Sequence, residues 1–340
     1  MMPKNTAPFI MIGIQRSGSN LLRLMLNEIP GIVAPHPPHI LQRMMPLLSY
    51  YSDLSQPKMF FQLVDDVCRL VELNPVPWEN VVLDRNDVTA RCRDNSLVAI
   101  FGAVYDLMAE AVGARTWCCK SLANIYYLPE IEHYFDGAKY IYLYRDGRDV
   151  AVSFCKAVVG EKHFYHVAKD WAQVQQLALE IRNQVGSHRF FGLSYEDLVG
   201  NTEPTLRRLC DFMEVEFTEK MMSFHTSQEA QRTAKQSSLW ANVTQSVMRQ
   251  NTRKFCKESG PEDIRIFESV AGEMLDALGY ERTLIEKGAE LAFSEEDLQG
   301  FNAENARRKG AVLQAMDPTD RRQRSQQEGL LEEIKLRCKL

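Results

Sequence analysis

The order of apolar and polar positions divides the chain into short alternating elements. Phe9 to Gly13 (FIMIG) is an unbroken apolar run, followed by a polar, glycine-containing turn. Leu21, Leu22 and Met25 then recur at helical spacing, so residues 9–25 predict a buried strand, a tight loop and a helix start. Pro30-Gly31 ends that helix, and Ile32-Val33-Ala34 predicts a short strand. The prolines of Pro35-His36-Pro37-Pro38-His39 exclude helix and keep the backbone extended. Residues 40–93 show no clean period and are broken by Pro75 and Pro77, so short helices and loops are expected there.

The second half of the pattern is clearer. Ile100, Phe101, Val104, Leu107, Met108 and Ala111 mark a helix that stops at Gly113, and Thr116–Cys119 reads as a short buried strand. Lys139–Tyr144 (KYIYLY) has the aromatic and β-branched content of a central strand, with a helix following from Val150. Trp171, Val174, Ala178, Ile181 and Val185 form an amphipathic stripe, and residues 189–194 form another strand. Asn201 or Thr202 caps a helix with Pro204 in its first turn, and Pro261 opens a strong helix that Gly279 closes. Beyond residue 283 the character changes to Glu, Arg and Gln, with Pro318 dividing two helix-like pieces. The chain therefore divides into a domain over 1–283 and a charged helical extension over 284–340, read as a peripheral surface for self-association into a homo-oligomer.

Strands alternating with helices imply an α/β fold, a central parallel sheet with helices on both faces. Ligands of such sheets bind beyond the carboxyl ends of the strands, where Arg16, Lys120, Arg145 and Tyr195 all fall. The amides of a first helical turn lack intrahelical partners and the dipole is positive there, so the loop at residues 13–20 suits a phosphate-like anion.

Composition narrows the partners. At 45% hydrophobic and 25% charged the chain is an ordinary globular protein, and its net charge of -5 argues against a general nucleic-acid binder. No apolar run is long enough to span a bilayer, and MMPKNTAPF lacks the features of a secretory signal. Eight cysteines with no CxxC pair fit reduced thiols, so a cytoplasmic location is expected.

Gly13-Ile-Gln-Arg-Ser-Gly-Ser-Asn20 has the spacing of a P-loop without its ending: Ser19-Asn20 stand where a nucleotide triphosphatase has Lys then Ser or Thr. The group that reaches the β- and γ-phosphates is missing, which disfavours ATP hydrolysis. A basic residue before the glycine instead resembles the 5′-phosphosulfate loop of the sulfotransferases that use 3′-phosphoadenosine 5′-phosphosulfate (PAPS). Tyr144-Arg-Asp-Gly-Arg-Asp-Val-Ala-Val-Ser153 resembles that family's 3′-phosphate segment, which puts Arg145 and Ser153 on the phosphate. Leu193-Ser-Tyr-Glu-Asp-Leu198 resembles its Y-E-D segment, which puts Tyr195 near the adenine. The three blocks come in the family's order.

The resemblance implies a PAPS-dependent transfer of sulfonate to an acceptor hydroxyl, with no metal required because the phosphoadenosine is a good leaving group. Arg16, Ser17, Gly18, Ser19 and Asn20 would bind the 5′ side of the donor, and Lys120 matches a family lysine near the transferred group. The family's C-terminal Arg-Lys-Gly motif is absent; Arg249, Arg253 and Lys254 are its stand-ins, of which Arg253 and Lys254 are taken as donor contacts. Cytosolic members have a histidine two residues after the Lys120 position, where this chain has Leu122, so the general base must come from elsewhere. His36 is the first candidate and His39 the alternative. An HxxH metal site is a poor reading of the same pair, since prolines hold them off a helix and no third ligand is near in sequence. Arg148 and Asp149 read as a solvated pair at a helix start, and Met44, Met45, Tyr50 and Tyr51 as core. The acceptor, a small molecule or carbohydrate ahead of a protein tyrosine, is expected to meet residues 36–100 and 155–170. The readings of other classes are a P-loop kinase and a non-catalytic nucleotide-binding protein of the same fold.

Overall fold

The computed structural model describes residues 7–236 and 238–337. Five strands, β1 (Phe9–Gly13), β2 (Ile32–Val33), β3 (Thr116–Cys119), β4 (Lys139–Tyr144) and β5 (Phe190–Ser194), form one sheet in the order β2-β3-β1-β4-β5. All four pairings are parallel, with Ile10 opposite Tyr140 and Tyr142 opposite Gly192. β1 is central and completely buried, and the chain winds outward from it on both sides.

Side chains of a strand alternate between faces, so β1 and β4 feed two separate apolar layers. Ile10, Ile12, Tyr140 and Tyr142 join one cluster, with the Leu97–Ala111, Phe164–Val185 and Pro261–Ala277 helices. Phe9, Met11, Ile141 and Leu143 join the other, with the Ser19–Leu26 and Thr202–Met213 helices. A strand covered on both faces must be apolar at every position, which is why these two read as continuous hydrophobic runs. Among the described residues, no helix is long and apolar enough to cross a membrane.

Three regions differ from the pattern reading. Residues 40–93 contain a regular helix of 16 residues, Pro57–Glu72, with Phe60, Leu63, Val64, Val67, Cys68, Leu70 and Val71 buried. Its stripe is interrupted by the buried Asp66, which blurs the period in the sequence. Arg148 and Asp149 are not solvated: each is under 4% exposed. Arg148 donates to Asp146 and, at 2.6 Å, to the buried Glu268, whose carboxylate also accepts the backbone N–H groups of Thr283, Leu284 and Ile285. A charge in the core persists where it is paired and fully hydrogen-bonded, and neither condition is visible in one sequence.

The third difference lies in the C-terminal region. Pro318 does divide two helices, Glu295–Gln314 and Pro318–Arg337. The second packs into its own chain's main core through Leu330 and Ile334. Gln327 donates to the Leu70 carbonyl at 2.8 Å, and Arg337 makes two bonds, at 2.5 and 2.8 Å, to the buried Asp66, which also accepts from the Tyr51 hydroxyl. Among the described residues, three apolar side chains of this helix, Leu330, Leu331 and Ile334, meet the core, so composition hides the contact.

Candidate active site

The site grows from the carboxyl end of β1. At Gly13 (φ +139°) a Cβ would lie 2.2 Å from the Leu143 carbonyl oxygen, so only glycine lets the chain leave the sheet past β4 here. Arg16 adopts a left-handed conformation (φ 71°), uncommon for a non-glycine residue, and Gly18 another (φ +90°). A Cβ on Gly18 would meet the Tyr195 ring at 2.5 Å. The Ser19–Leu26 helix follows with no side-chain cap on its free amides, and the buried Ser17 hydroxyl has no partner among the described residues.

The three sequence blocks converge on this loop. Arg16 Nε donates to Ser153 Oγ at 3.0 Å. Arg145 donates to the Arg16 carbonyl (3.0 Å), the Asn251 carbonyl (2.6 Å) and Asp149 (3.3 Å), and its guanidinium lies over the Tyr195 ring at 4.4 Å. The Asn251 amide donates to the Tyr195 hydroxyl at 2.7 Å, and the buried Trp171 indole donates to the Arg145 carbonyl. Together Arg16, Gly18, Ser19, Asn20, Arg145, Ser153 and Tyr195 line a cavity of about 170 Å³. Leu21, Phe224 and residues between Trp240 and Asn251, including Asn242, Gln245 and Ser246, complete its wall.

A second cavity of about 690 Å³ shares Arg16, Ser19, Asn20 and Trp240 with the first. Lys120, His36, His39, Gln42, Arg43, Leu47, Phe154 and Asp170 line it, as do Leu331 and Lys335 from the C-terminal helix. Lys120 Nζ donates to Asn20 Oδ1 at 2.9 Å. Burial, and then the nearby Arg23 and Arg16, push the Lys120 ammonium down to about 7. Burial and then Arg145 likewise lower Arg16 from its ordinary value. These groups bond to neutral oxygens in a concentrated positive field, an arrangement that favours an anion.

The two histidines have different surroundings. His36 is buried, its ring nitrogens have no partner among the described residues, and it packs edge-on to Trp240 with centroids 4.7 Å apart. Burial, then Lys120 and Arg23, hold it well below the ordinary histidine range. His39 is half-buried in a left-handed conformation (φ 58°), with Nδ1 2.9 Å from the Ser121 hydroxyl, next in sequence to Lys120.

Not every expected contact is here. Arg253 and Lys254 line neither cavity; Lys254 precedes the short Phe255–Glu258 helix instead. Uncharged side chains, the polar Asn242, Gln245, Ser246 and Asn251 together with Val243, Val247 and Met248, occupy that wall of the smaller cavity. The polar, aperiodic stretch 242–251 was the available signal for them, and it names no chemistry by itself.

Lys120 gives the pH test. Its folded value lies below that of an unfolded lysine, so the penalty on its charge is complete below about pH 7 and fades as pH rises toward the unfolded value of about 10.4. Without bound anion, stability should therefore gain a rising component between those limits. Urea melts at the two ends of the window should show Lys120→Met losing it; an identical pH dependence in the variant would contradict the assignment.

Comparison with known proteins agrees with this geometry. A family model described as the sulfotransferase family matches residues 8–219. The chain is 24% identical over 287 residues to protein-tyrosine sulfotransferase A of Caenorhabditis elegans, covering 81% of this chain and 68% of that protein. The fold resembles the sulfotransferase domain from the curacin biosynthetic pathway (TM-score 0.60, 21% identity, 83% of this chain and 100% of the other). It also resembles the sulfotransferase domain of the Synechococcus PCC 7002 olefin synthase (TM-score 0.57, 21% identity, 83% and 98%). Because the family match takes in more than half of the chain, including all three blocks that meet at the loop, the chain belongs to the sulfotransferase family.

Proposed function

We propose that this protein transfers a sulfonate group from PAPS to the hydroxyl of a small-molecule or carbohydrate acceptor. The observation that carries the reading is the pair of cavities joined at Arg16, Ser19 and Asn20, with Lys120 at the larger one. The residues present fit the donor: Arg145, which lines the smaller cavity, has its Nε buried without a partner among the described residues, and the hydroxyl of Ser17, a loop residue that lines neither cavity, is likewise buried without one. The loop amides, Arg16, Ser17, Ser19 and Asn20 would hold its 5′ side. Arg145 and Ser153 would hold the 3′-phosphate, with the planar fork of the guanidinium suited to phosphate oxygens, and Tyr195 would pack near the base. PAPS supplies a sulfonate already attached to a leaving phosphate, so the chain's own work is alignment and charge compensation. Lys120 provides a cation whose protonated form becomes favourable once anionic charge lies beside it.

The acceptor proton needs a base in the larger cavity. His39 suits this role better than His36, because the Ser121 hydroxyl orients its ring and half-burial leaves room to accept charge. Protonating His36 would put a further cation in a buried place beside Lys120 and Arg23, so its role is to shape the wall with Trp240.

Two results follow. Saturating 3′-phosphoadenosine 5′-phosphate should raise the melting temperature, by an amount equivalent to roughly 2.7 kcal/mol at a hundred times Kd, and chelator should not diminish it. No shift would sink the donor assignment, and a shift only with ATP and magnesium would favour a kinase. In transfer of labelled sulfonate from PAPS to acceptors in a metabolite extract, His39→Ala should lower turnover on the order of a hundredfold or more while nucleotide affinity is kept. If His36→Ala is the inactive variant and His39→Ala turns over normally, the base is His36.

A further inference from the structure

The larger cavity has a wall that the sulfonate-transfer chemistry does not call for. Leu331 and Lys335, four residues apart on one face of the Pro318–Arg337 helix, line it together with Arg16, Lys120 and His39. This helix lies more than ninety residues beyond the end of the family match at residue 219. It is held on both sides of the lining residues, by Leu330 and Ile334 in the core and by Arg337 on the buried Asp66. Arg69 adds a pair with Glu333 at 2.6 Å.

The Glu295–Gln314 helix reaches the same cavity indirectly. Asn305 Oδ1 accepts the backbone N–H groups of Lys162 (2.7 Å) and His163 (3.0 Å), and the His163 ring stacks on Phe301 with centroids 4.6 Å apart. Lys309 pairs with Glu161 at 3.0 Å. These contacts fix the loop whose Val159 and Gly160 also line the cavity.

The charge on this wall has a sign. Apart from Arg16 and Lys120, which face the donor, the charged lining residues are Arg43, Lys335 and one carboxylate, Asp170. Burial and then Glu161 raise Asp170 from its ordinary value, and it stands as a single carboxylate against the cations of this wall. Lys335 pairs with Glu332 at 2.6 Å, but both side chains are at least 40% exposed, and such pairs are readily exchanged for another partner. Leu331, Leu47 and Phe154 make the remaining lining partly apolar.

We infer that the Pro318–Arg337 helix is a working wall of the acceptor site, with Leu331 setting its width and Lys335 holding an anionic group on the acceptor. The acceptor class is then an alcohol or phenol with an apolar body and a carboxylate-like end. This assignment rests on the sulfonate-transfer reading and adds the acceptor's charge to it.

The test uses the full chain saturated with 3′-phosphoadenosine 5′-phosphate and two phenols of opposite charge, 4-hydroxyphenylacetate and tyramine, with the additional melting shift as readout. The wild type should bind the anionic phenol more tightly. Lys335→Glu should weaken that phenol about tenfold and improve tyramine, a reversal that general damage to the fold would not produce. Leu331→Trp should remove both shifts while leaving the nucleotide's own shift intact. Equal or absent binding of the two phenols by the wild type, or unchanged preferences in both variants, would overturn the inference. Loss of the nucleotide shift in the wild type would instead strike the donor assignment.

Discussion

The structure depends on holding buried positive charge at the carboxyl end of one strand. Lys120 is buried and Arg16 partly so, and their bonds run to the neutral oxygens of Asn20 and Ser153. Burial lowers both groups from their ordinary values, helped by Arg145 beside Arg16 and by Arg23 and Arg16 beside Lys120. A fold keeps such an arrangement when an anion completes it. The loop from Gly13 to Ser19 ends in the first turn of the Ser19–Leu26 helix, which has no side-chain cap, so backbone and side chains converge on one kind of ligand.

The surrounding scaffold can be understood as what keeps that cluster in place. Arg145 is fixed by Asp149, by two carbonyls and by the Tyr195 ring, and Asp149 in turn accepts the Phe255 backbone N–H. One helical turn away, Arg148 joins Asp146 to Glu268 and so fastens the end of β4 to the Pro261–Ala277 helix and the turn after it. On the other side of the loop, the buried Arg23 donates to the Ala34 carbonyl, Glu229 and Thr233, which ties the first helix to the segment leading to Trp240. Each arginine bridges elements far apart in sequence, and both cavities lie between the elements so joined.

What the sequence revealed follows from which interactions are local. The buried strands β1, β3 and β4 were legible because nearly all of their residues face a core layer, with Lys139 and Thr116 at strand starts as the exceptions. The loop, Arg145, Ser153 and Tyr195 were legible because short motifs carry them, and they do converge on one cavity. The Pro57–Glu72 helix was obscured by the buried Asp66, whose partners Tyr51 and Arg337 are distant in the chain. Arg148 looked solvated for the same reason, since Glu268 is 120 positions away. Arg253 and Lys254 were chosen for charge, and they line neither cavity; uncharged side chains from residues 242–251 line the smaller one. Leu331 and Lys335 were hidden by a charged composition that conceals a narrow docking stripe.

Placing the donor nucleotide tests the central claim most directly. A crystal structure with 3′-phosphoadenosine 5′-phosphate should show the 5′-phosphate on the amides of residues 13–19 beside Arg16 and Lys120. The 3′-phosphate should lie on Arg145 and Ser153, with the adenine near Tyr195. Density for the nucleotide away from the Gly13–Ser19 loop, or a bound orientation that leaves Arg145 without a phosphate, would contradict the account.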